Sequence, residues 1–375
     1  MDVRMGHNSA LWLPGVLSPA EVPMQNLQAS ARWSRLSRSG GDTWQVPTWT
    51  LKMANADLQG EWRGQWQSTP NGPGALTLDG KIDKLNAAAA HRYLPVGLPA
   101  SVRDYLRDAL VNGTYSDVKV KIKGDLAKVP FKDPKDGEFS FSGRIKDVLL
   151  DMVPPALLPT GSAPWPRLNG LQGRLQFDRA GMRLSEASAQ AGEGGQAVLL
   201  TAPLVEIADM TQQALLQVRA ESTSSAPQVL RLIQKSALNA LLSDALAEAQ
   251  VRGDMQTRFE LRLPLLNLKE TQVKGNVMFK GVDLRMQAET PWLENIQGQL
   301  QFQETGFDLR PLQAQLWGGP VSLEGGMRPS GNNPASPARI EFQARGRVSA
   351  EGLRTAKEFY PLDWLAQHAQ GSANY

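Results

Sequence analysis

Cysteine is absent from this chain of 375 residues, and histidine occurs only at positions 7, 91 and 368. Without cysteine there can be no disulfides and no thiolate metal sites. No two histidines have the spacing of a metal pair on a helix or hairpin. We therefore expect no metal and no cofactor, and predict that His7, His91 and His368 are surface or capping residues.

Long apolar runs and blocks of one charge are also missing. No run of eighteen apolar residues exists, and the short apolar stretch near the amino terminus contains Pro14, so neither a membrane-spanning helix nor a signal helix is predicted. Forty basic and thirty-seven acidic residues leave a net charge of +3, scattered along the chain. This balance does not point to a nucleic acid partner, and none is expected. Since 41% of the residues are hydrophobic, we expect a soluble, folded chain with sizeable cores.

The dominant pattern that is present is alternation of apolar and polar residues, which is typical of strands with one dry and one wet face. Glycine bounds most of these stretches, as expected where strands turn or bulge. The pattern predicts a mainly antiparallel β fold with a few helices. The apolar positions predicted for the dry face are Leu76, Leu78, Val118, Val120, Ile122, Phe139, Phe141, Leu175, Phe177, Phe259, Leu261, Leu263, Val277, Phe279, Leu300, Phe302, Ile340 and Phe342.

Helical spacing is confined to three regions, which are 98–113, 227–250 and 349–370. In the first region, Ser101 and Asp104 stand in capping-box register. The third region is interrupted at Pro361, so a new helix is predicted from Leu362 to Gln370. We expect these few helices to cap or flank the sheet.

An internal repeat runs through the chain. The stretch "GLQGRLQF" at 170–177 returns as "NIQGQLQF" at 295–302, and an offset of 140 residues places Gly113 on Gly253. Repeats of this kind stack into one array whose function lies in the shared surface. We predict a partial repeat and two repeat units, followed by the start of another, within one continuous sheet, at 1–74, 75–214, 215–339 and 340–375.

Catalytic signatures are missing, so the chain is not predicted to be an enzyme. It has no P-loop, no Gly-x-Ser-x-Gly elbow and no His-Glu-x-x-His motif. The stretch "GEGGQA" at 192–197 fits a loose dinucleotide pattern but leads into an apolar strand, and we interpret it as a turn.

Two side-chain groups could bind ligands but have simpler interpretations. The row Lys119, Lys121 and Lys123 has no aromatic platform beside it, which favours a solvated strand face. Four tryptophans lie close together in sequence and could stack on sugars or lie at lipid headgroups. Filling the core is the favoured interpretation for this cluster, which consists of Trp44, Trp49, Trp62 and Trp66.

The order of several motifs resembles the central region of the YhdP family of AsmA-like and TamB-like proteins from Gram-negative bacteria. The resemblance extends from about Val22 to Leu353. Val129 departs from the Phe-Pro-Phe usual in that family, and Pro130 and Phe131 follow it. The motifs are "RYLP" (92–95), "LPASVRDYLRDALVNGTYSDVKVKIKGDLAKVPF" (98–131), "GEFSFSGRIKDVLLDMVP" (137–154), "WPRLNGLQGRLQF" (165–177) and "LWGGPVSLEGG" (316–326).

The resemblance implies an elongated, curved antiparallel sheet with an apolar groove that carries phospholipid between the inner and outer membranes. It implies a location at the periplasmic face of the inner membrane. The anchor of the family is absent here, so the chain is expected to be a soluble internal fragment. Its implied partners are phospholipid, the inner membrane through that anchor, and outer-membrane or periplasmic proteins.

Three alternatives remain open at this point. The apolar residues Val118, Phe139, Phe177 and Phe259 could instead pack against a second sheet in a closed sandwich. The chain could be an envelope assembly scaffold that binds proteins through exposed strand edges. A carbohydrate-binding role built on the tryptophan cluster is the third alternative.

Overall fold

The computed structural model describes residues 1–38, 41–69, 72–212, 214–242, 244–329, 338–354 and 362–375. Strands dominate, and the predicted antiparallel β class with a few helices is confirmed. The strands up to residue 191 are β1 (Asp2–Met5), β2 (Ser9–Trp12), β3 (Glu21–Met24), β4 (Asn26–Arg38), β5 (Gly41–Ala54), β6 (Leu58–Thr69), β7 (Gly72–Asn86), β8 (Leu110–Asp125), β9 (Gly137–Asp151), β10 (Arg167–Asp178) and β11 (Gly181–Ala191). The later strands are β12 (Val198–Ile207), β13 (Leu215–Ser225), β14 (Gln250–Arg252), β15 (Asp254–Pro264), β16 (Gln272–Arg285), β17 (Leu293–Gln303), β18 (Gly306–Leu316), β19 (Gly319–Pro329), β20 (Ala338–Ser349) and β21 (Ser372–Asn374). The helices are α1 (Ala100–Ala109), α2 (Ala226–Gln234), α3 (Leu238–Leu241), α4 (Ala350–Arg354) and α5 (Leu362–Gln367).

The chain divides into two compact units. Unit 1 comprises Met1–Leu157, Arg167–Ala189 and Leu204–Leu216. Unit 2 comprises Leu158–Pro166, Gln190–Pro203 and Gln217–Tyr375. The repeat boundaries after residues 74, 214 and 339 stay a prediction.

In unit 1, the strands from β4 to β10 pair antiparallel in chain order, and β1 pairs with β4. Strands β2 and β3 form a separate hairpin. The alternation of the sequence follows from this arrangement, because successive side chains of a strand point to opposite faces. Apolar residues from β4 to β11 form one core cluster, and Val118 within it is 0% exposed.

A short helical segment covers one end of the unit 1 sheet. The 3₁₀ helix Ala87–Tyr93 contains the start of the "RYLP" motif, and Tyr93 packs against the core cluster. The amide of Asn55 donates a hydrogen bond of 2.9 Å to the Tyr93 hydroxyl, and Arg92 forms an ion pair of 3.2 Å with Asp57. Burial is the main reason why the pKa of Tyr93 is raised. The motif therefore fastens the helical segment to the β5–β6 turn.

In unit 2, β14 and β15 both pair with β16, and the sheet continues antiparallel from β16 to β21 in chain order. Its core cluster contains Val282, Ile296 and Val321, each at most 1% exposed. Ala226, the first residue of α2, belongs to the same cluster. Helical residues therefore help to cover one end of this sheet too.

The two copies of the repeated phrase occupy equivalent places in their own units. In β10, Leu171 pairs with Val148 of β9, beside register shifts on both sides. In β17, Ile296 pairs with Val282 of β16, again with a register shift on each side. All four of these side chains are buried. The register shifts thus recur together with the repeated sequence.

Two glycines that the repeat aligns have similar backbone conformations. Gly113 and Gly253 are both left-handed, with φ of 119° and 96°. A Cβ atom on Gly113 would lie 2.6 Å from the Cα of Val148, and one on Gly253 would lie 3.4 Å from the Cα of Val282. The offset of 140 residues therefore joins two left-handed glycines that each lie beside a buried valine, the first more closely than the second.

Two helix predictions require correction. Helix α1 has Pro99 as its N-cap and makes no side-chain capping bond, so Ser101 lies inside the first turn and the predicted capping box with Asp104 is wrong. A true capping box occurs at α2, between Ser225 and Gln228.

The predicted helix over 227–250 is shorter and broken. Helix α2 ends at Gln234, and only the four residues of α3 follow it. The Gln234 amide donates hydrogen bonds of 2.8 Å and 3.1 Å to the carbonyl oxygens of Leu246 and Ala249, which satisfies these acceptors without a continuous helix. The new helix predicted at Leu362 is confirmed as α5, while Pro361 lies outside the described residues.

Candidate functional site

Each unit has a sheet with one apolar face, which we call its dry face. Residues that pair across antiparallel strands project to the same side, so the strand registers define rows on this face. In unit 1, one such row runs through Leu51, Trp62, Gly80, Val120, Phe141 and Phe177. In unit 2, the equivalent row runs through Phe259, Gly275, Phe302 and Phe307.

Aromatic rings on the dry faces lie against glycines of neighbouring strands. A Cβ atom on Gly64 would lie 2.8 Å from Cζ2 of Trp49, and one on Gly275 would lie 2.5 Å from Cζ of Phe302. The ring of Trp62 covers Gly80 in the same way. Glycine permits this close approach because it has no side chain, and the ring shelters the exposed backbone. The result is an apolar surface of low relief.

The predicted dry-face residues differ in burial. The buried members are Val118, Leu175, Leu261, Leu263 and Phe279. The half-buried members are Leu76, Leu78, Val120, Ile122, Phe139, Phe141, Phe177, Phe259, Val277, Leu300 and Phe302. Phe342 is 53% exposed, and Ile340 pairs with Met327 while its side chain lies outside the described residues. Their role as lipid contacts stays a prediction.

Burial falls along the strands of unit 1, from the helical end towards the hairpin turns. Ile82 and Val118 pair with each other and are buried, next to the helical residues Ala90 and Leu106 that pack on the cluster. Four residues further along the two strands, Leu78 and Ile122 pair and are only half-buried. A closed sandwich would bury both pairs alike, so the graded burial favours a partly open face.

Ring contacts order the middle of the unit 1 dry face. Phe141 packs edge-on against Phe177 with ring centroids 5.6 Å apart, and against Tyr115 at 6.5 Å. These distances are within the range of favourable aromatic pairs. Burial raises the pKa of Tyr115 to about 12, so the phenol is neutral at physiological pH and suits an apolar surface.

A loop residue closes the hairpin end of the dry face in unit 1. Phe131, in the loop between β8 and β9, is 0% exposed and packs on Gly124 and Gly137. A Cβ atom on these two glycines would lie 2.8 Å and 2.7 Å from the ring. Val129, two residues earlier, is 40% exposed and therefore contributes less to this packing.

Unit 2 fills the same place differently. The loop between Leu263 and Thr271 has seven residues, against twelve between Gly124 and Gly137. Leu263 and Thr271 are buried at 0% and 5% exposure. A leucine side chain on the strand thus takes the space that a glycine and a loop phenylalanine share in unit 1.

An open cavity of about 680 Å³ lies along the row of rings in unit 2. Its apolar wall is made by Phe259, Phe302, Phe307 and Met327, and polar residues that alternate with the rings along the same strands complete its lining. The ring of Phe342 lies near that of Phe307, with ring centroids 5.9 Å apart. The cavity thus exposes a row of aromatic rings to solvent. The polar lining residues are Arg258, Glu260, Lys274, Asn276, Gln301, Gln303 and Asp308.

The opposite faces of the sheets are charged and solvated. Lys119, Lys121 and Lys123 are exposed, as predicted, and Lys121 forms an ion pair of 3.1 Å with Glu138. In unit 2, Lys274 forms an ion pair of 3.0 Å with Glu260, and its hydrogen bond holds the pKa of the Glu260 carboxyl below its usual range. Exposed pairs of this kind contribute little stability but keep the faces hydrated.

The tryptophan cluster is divided between core and surface. Trp62 packs against the core cluster, and Trp49 and Trp66 lie over glycines. The Trp66 indole donates a hydrogen bond of 2.9 Å to the carbonyl oxygen of Pro73. Trp44 is 45% exposed. Packing against the core cluster accounts for Trp62 and packing against glycine backbone for Trp49 and Trp66, and no sugar-binding arrangement is needed to explain these three rings.

Within the described ranges, no group of three histidine or acidic side chains is arranged to hold a metal ion. Within the same ranges, no helix has both the length and the apolar character needed to cross a membrane. His91 and His368 each place Nδ1 near a backbone carbonyl oxygen of the preceding turn, at 3.0 Å and 2.9 Å.

One cluster of functional residue types was missed by the sequence reasoning. Arg252, Arg285 and Trp292 come together at one end of β14, β16 and β17. Arg285 and Trp292 are the residues on either side of the β16–β17 loop, so a hairpin register drawn around that loop would have made them neighbours. No sequence signal would have added Arg252, which precedes Arg285 by thirty-three positions.

Comparison with known proteins gave one match. The family model described as YhdP protein matches residues 5–375. Neither a curated protein nor a solved structure matches the chain.

Proposed function

The chain belongs to the YhdP family, and on this premise we propose that it is a passive lipid-conducting module of the cell envelope. The acyl chains of phospholipids would lie on the dry faces of units 1 and 2, while the headgroups stay in water. The observation that carries the proposal is the half-buried, ring-covered apolar face that each unit has, which within unit 2 borders the open cavity beside Phe302.

The energetics of lipid transfer call for such a surface. Each methylene group sheltered from water contributes about 0.8 kcal/mol, so an acyl chain of about fifteen carbons is stabilised by roughly 12 kcal/mol in an apolar environment. The apolar side chains of a half-buried face are still partly open to solvent, so an acyl chain can lie on them while the protein stays folded. The step needs no energy source when lipid moves down a gradient, and we therefore propose binding and carriage without catalysis.

A loading experiment with two residues of one strand tests this proposal. The purified chain is incubated with vesicles that contain radiolabelled phospholipid, re-isolated, and counted for bound lipid. Phe302→Asp places a charge on the dry face and should reduce loading in unit 2 by about tenfold or more. Gln299→Asp is the matched control, because it places the same charge on the wet face of β17, at a residue that pairs with Met278 and does not line the cavity.

Lipid bound to unit 2 is measured separately by placing a photoreactive residue at position 259, which crosslinks only to lipid that lies near Phe302. Equal crosslinking in Phe302→Asp and Gln299→Asp would contradict an acyl site on this face. Wild-type protein that neither carries lipid after purification nor takes it up from vesicles would contradict the function as a whole.

The family setting supports the remaining parts of the proposal. We propose that the natural location is the periplasmic side of the inner membrane and that phospholipid passes towards the outer membrane, with outer-membrane or periplasmic proteins as further partners. The scaffold alternative has less support, because short strands lie along two sheet edges. Strand β1 covers Leu27–Ser30 of β4, and β21 covers Arg347–Ser349 of β20, an arrangement typical of protected edges.

A further inference from the structure

Unit 2 carries a second feature with ligand chemistry, on the wet face near the first residues of β17. The guanidinium carbon of Arg252 lies 4.3 Å from the ring centroid of Trp292, and that of Arg285 lies 5.1 Å from it. Both distances are within the range of cation–π contacts. One indole ring therefore holds two positive charges close together.

These two charges lack the usual partners. Within the part of the chain that the structure describes, neither guanidinium has a carboxylate within 4.0 Å. Asp283 pairs in register with Arg252, yet its carboxylate accepts a hydrogen bond of 2.8 Å from the backbone N–H of Asn295 instead. Among the described residues of this face, no carboxylate therefore neutralises Arg252 or Arg285.

Arg285 and Arg252 differ in how many donors they can offer to a ligand. The Arg285 Nη2 donates a hydrogen bond of 2.7 Å to the Gln250 side chain, and its Nε is buried without an acceptor. The Arg252 side chain is exposed and, among the described residues, donates no hydrogen bond. Two guanidinium groups placed side by side by an aromatic ring, one of them with its planar fork of donors open to solvent, are suited to a tetrahedral oxyanion.

We propose that Arg252, Arg285 and Trp292 form a binding site for a phosphate group. Two sources share this chemistry, the phosphodiester of a phospholipid headgroup and free inorganic phosphate. The site lies on the wet face, so it does not depend on acyl chains occupying the dry face. Failure of either proposal leaves the other testable.

The test uses the full chain and inorganic phosphate as the first probe. Isothermal titration calorimetry at constant ionic strength should give a saturable heat with phosphate and none with acetate. Arg252→Gln should weaken phosphate binding about tenfold, which corresponds to about 1.4 kcal/mol. Arg285→Lys keeps the charge but removes the planar fork, and a similar loss is expected.

Arg262→Gln is the matched control, because Arg262 is another exposed arginine of unit 2 and lies on β15. Circular dichroism verifies that all variants are folded. Vesicles of phosphatidylglycerol in phosphatidylcholine serve as the second probe, with binding measured by flotation.

The outcomes separate the sources. If Arg252→Gln reduces flotation more than Arg262→Gln does, the ligand is a lipid headgroup. If only phosphate titration changes, the site binds free phosphate. If wild-type protein binds neither probe, or if Arg252→Gln and Arg262→Gln lower binding equally, the proposal is overturned.

Discussion

Placing a carboxylate at Phe302 should distinguish an open apolar face from a closed core by its effect on stability. Phe302 is half-buried, and its ring covers Gly275. Full burial of a phenylalanine contributes up to about 3 kcal/mol, so losing a half-buried ring should cost about 1–2 kcal/mol. An aspartate there can keep contact with water and adds little further cost.

The reference substitution is Val282→Asp in the same unit. Val282 is 0% exposed, so the new carboxylate would be buried without a partner, which costs several kcal/mol and more than about 4 kcal/mol in total. Because domains are stable by about 5–15 kcal/mol, Phe302→Asp should remain folded while Val282→Asp loses most or all of the stability of unit 2.

The assay is urea unfolding followed by circular dichroism, with Gln299→Asp as the wet-face control. We expect the free energy of unfolding to decrease in the order Gln299→Asp, Phe302→Asp, Val282→Asp. If Phe302→Asp destabilises unit 2 as severely as Val282→Asp, the face is a closed core and the reasoning behind the lipid proposal is refuted.

Three further predictions concern other parts of the fold. Phe131→Ala should lower the free energy of unfolding by about 3–5 kcal/mol, because it empties a buried site, whereas Val129→Ala should change it by less than about 0.5 kcal/mol in the same urea titration; equal effects would contradict the assigned packing. Alanine at Gly113 or Gly253 should destabilise the protein through strain at positive φ, and more at Gly113, where backbone lies 2.6 Å from the new Cβ; urea unfolding that shows no loss at either position would refute the repeated glycine site. Burial raises the pKa of Tyr115 to about 12, so the unfolded state loses this proton at lower pH than the folded state, and the free energy of unfolding should fall as pH rises above about 10. Tyr115→Phe should weaken that decline in unfolding experiments between pH 9 and 11. An unchanged slope would contradict the prediction that Tyr115 causes the decline.

The strands were predictable because their alternation reflects a local geometric rule. Val118, Val120 and Ile122 lie on one face of β8 whatever the rest of the chain does. The helix predicted over 227–250 is wrong in length because of tertiary contacts. Gln234 reaches carbonyl groups more than ten residues away, and no local pattern announces that a side chain will replace helical hydrogen bonds.

The candidate site was predictable in part for the same reason. Periodicity predicted the apolar face, but it treated glycine in general as a residue that bounds strands, whereas Gly80 and Gly275 lie within strands under aromatic rings. Recognising them requires knowing which strands are neighbours and in what register. The graded burial from Val118 to Ile122 likewise depends on where the helical residues pack, and alternation contains no information on that.

The flat rings over glycine have a consequence for selectivity. Where rings lie flat over glycines, no side chain protrudes that would fix one methylene group in place, so an acyl chain could shift by one carbon with almost no change in contact area. Such a surface would accept saturated chains of different length about equally. Discrimination among lipids would then depend on polar groups at the rim of the face, where hydrogen bonds and charges can read a headgroup.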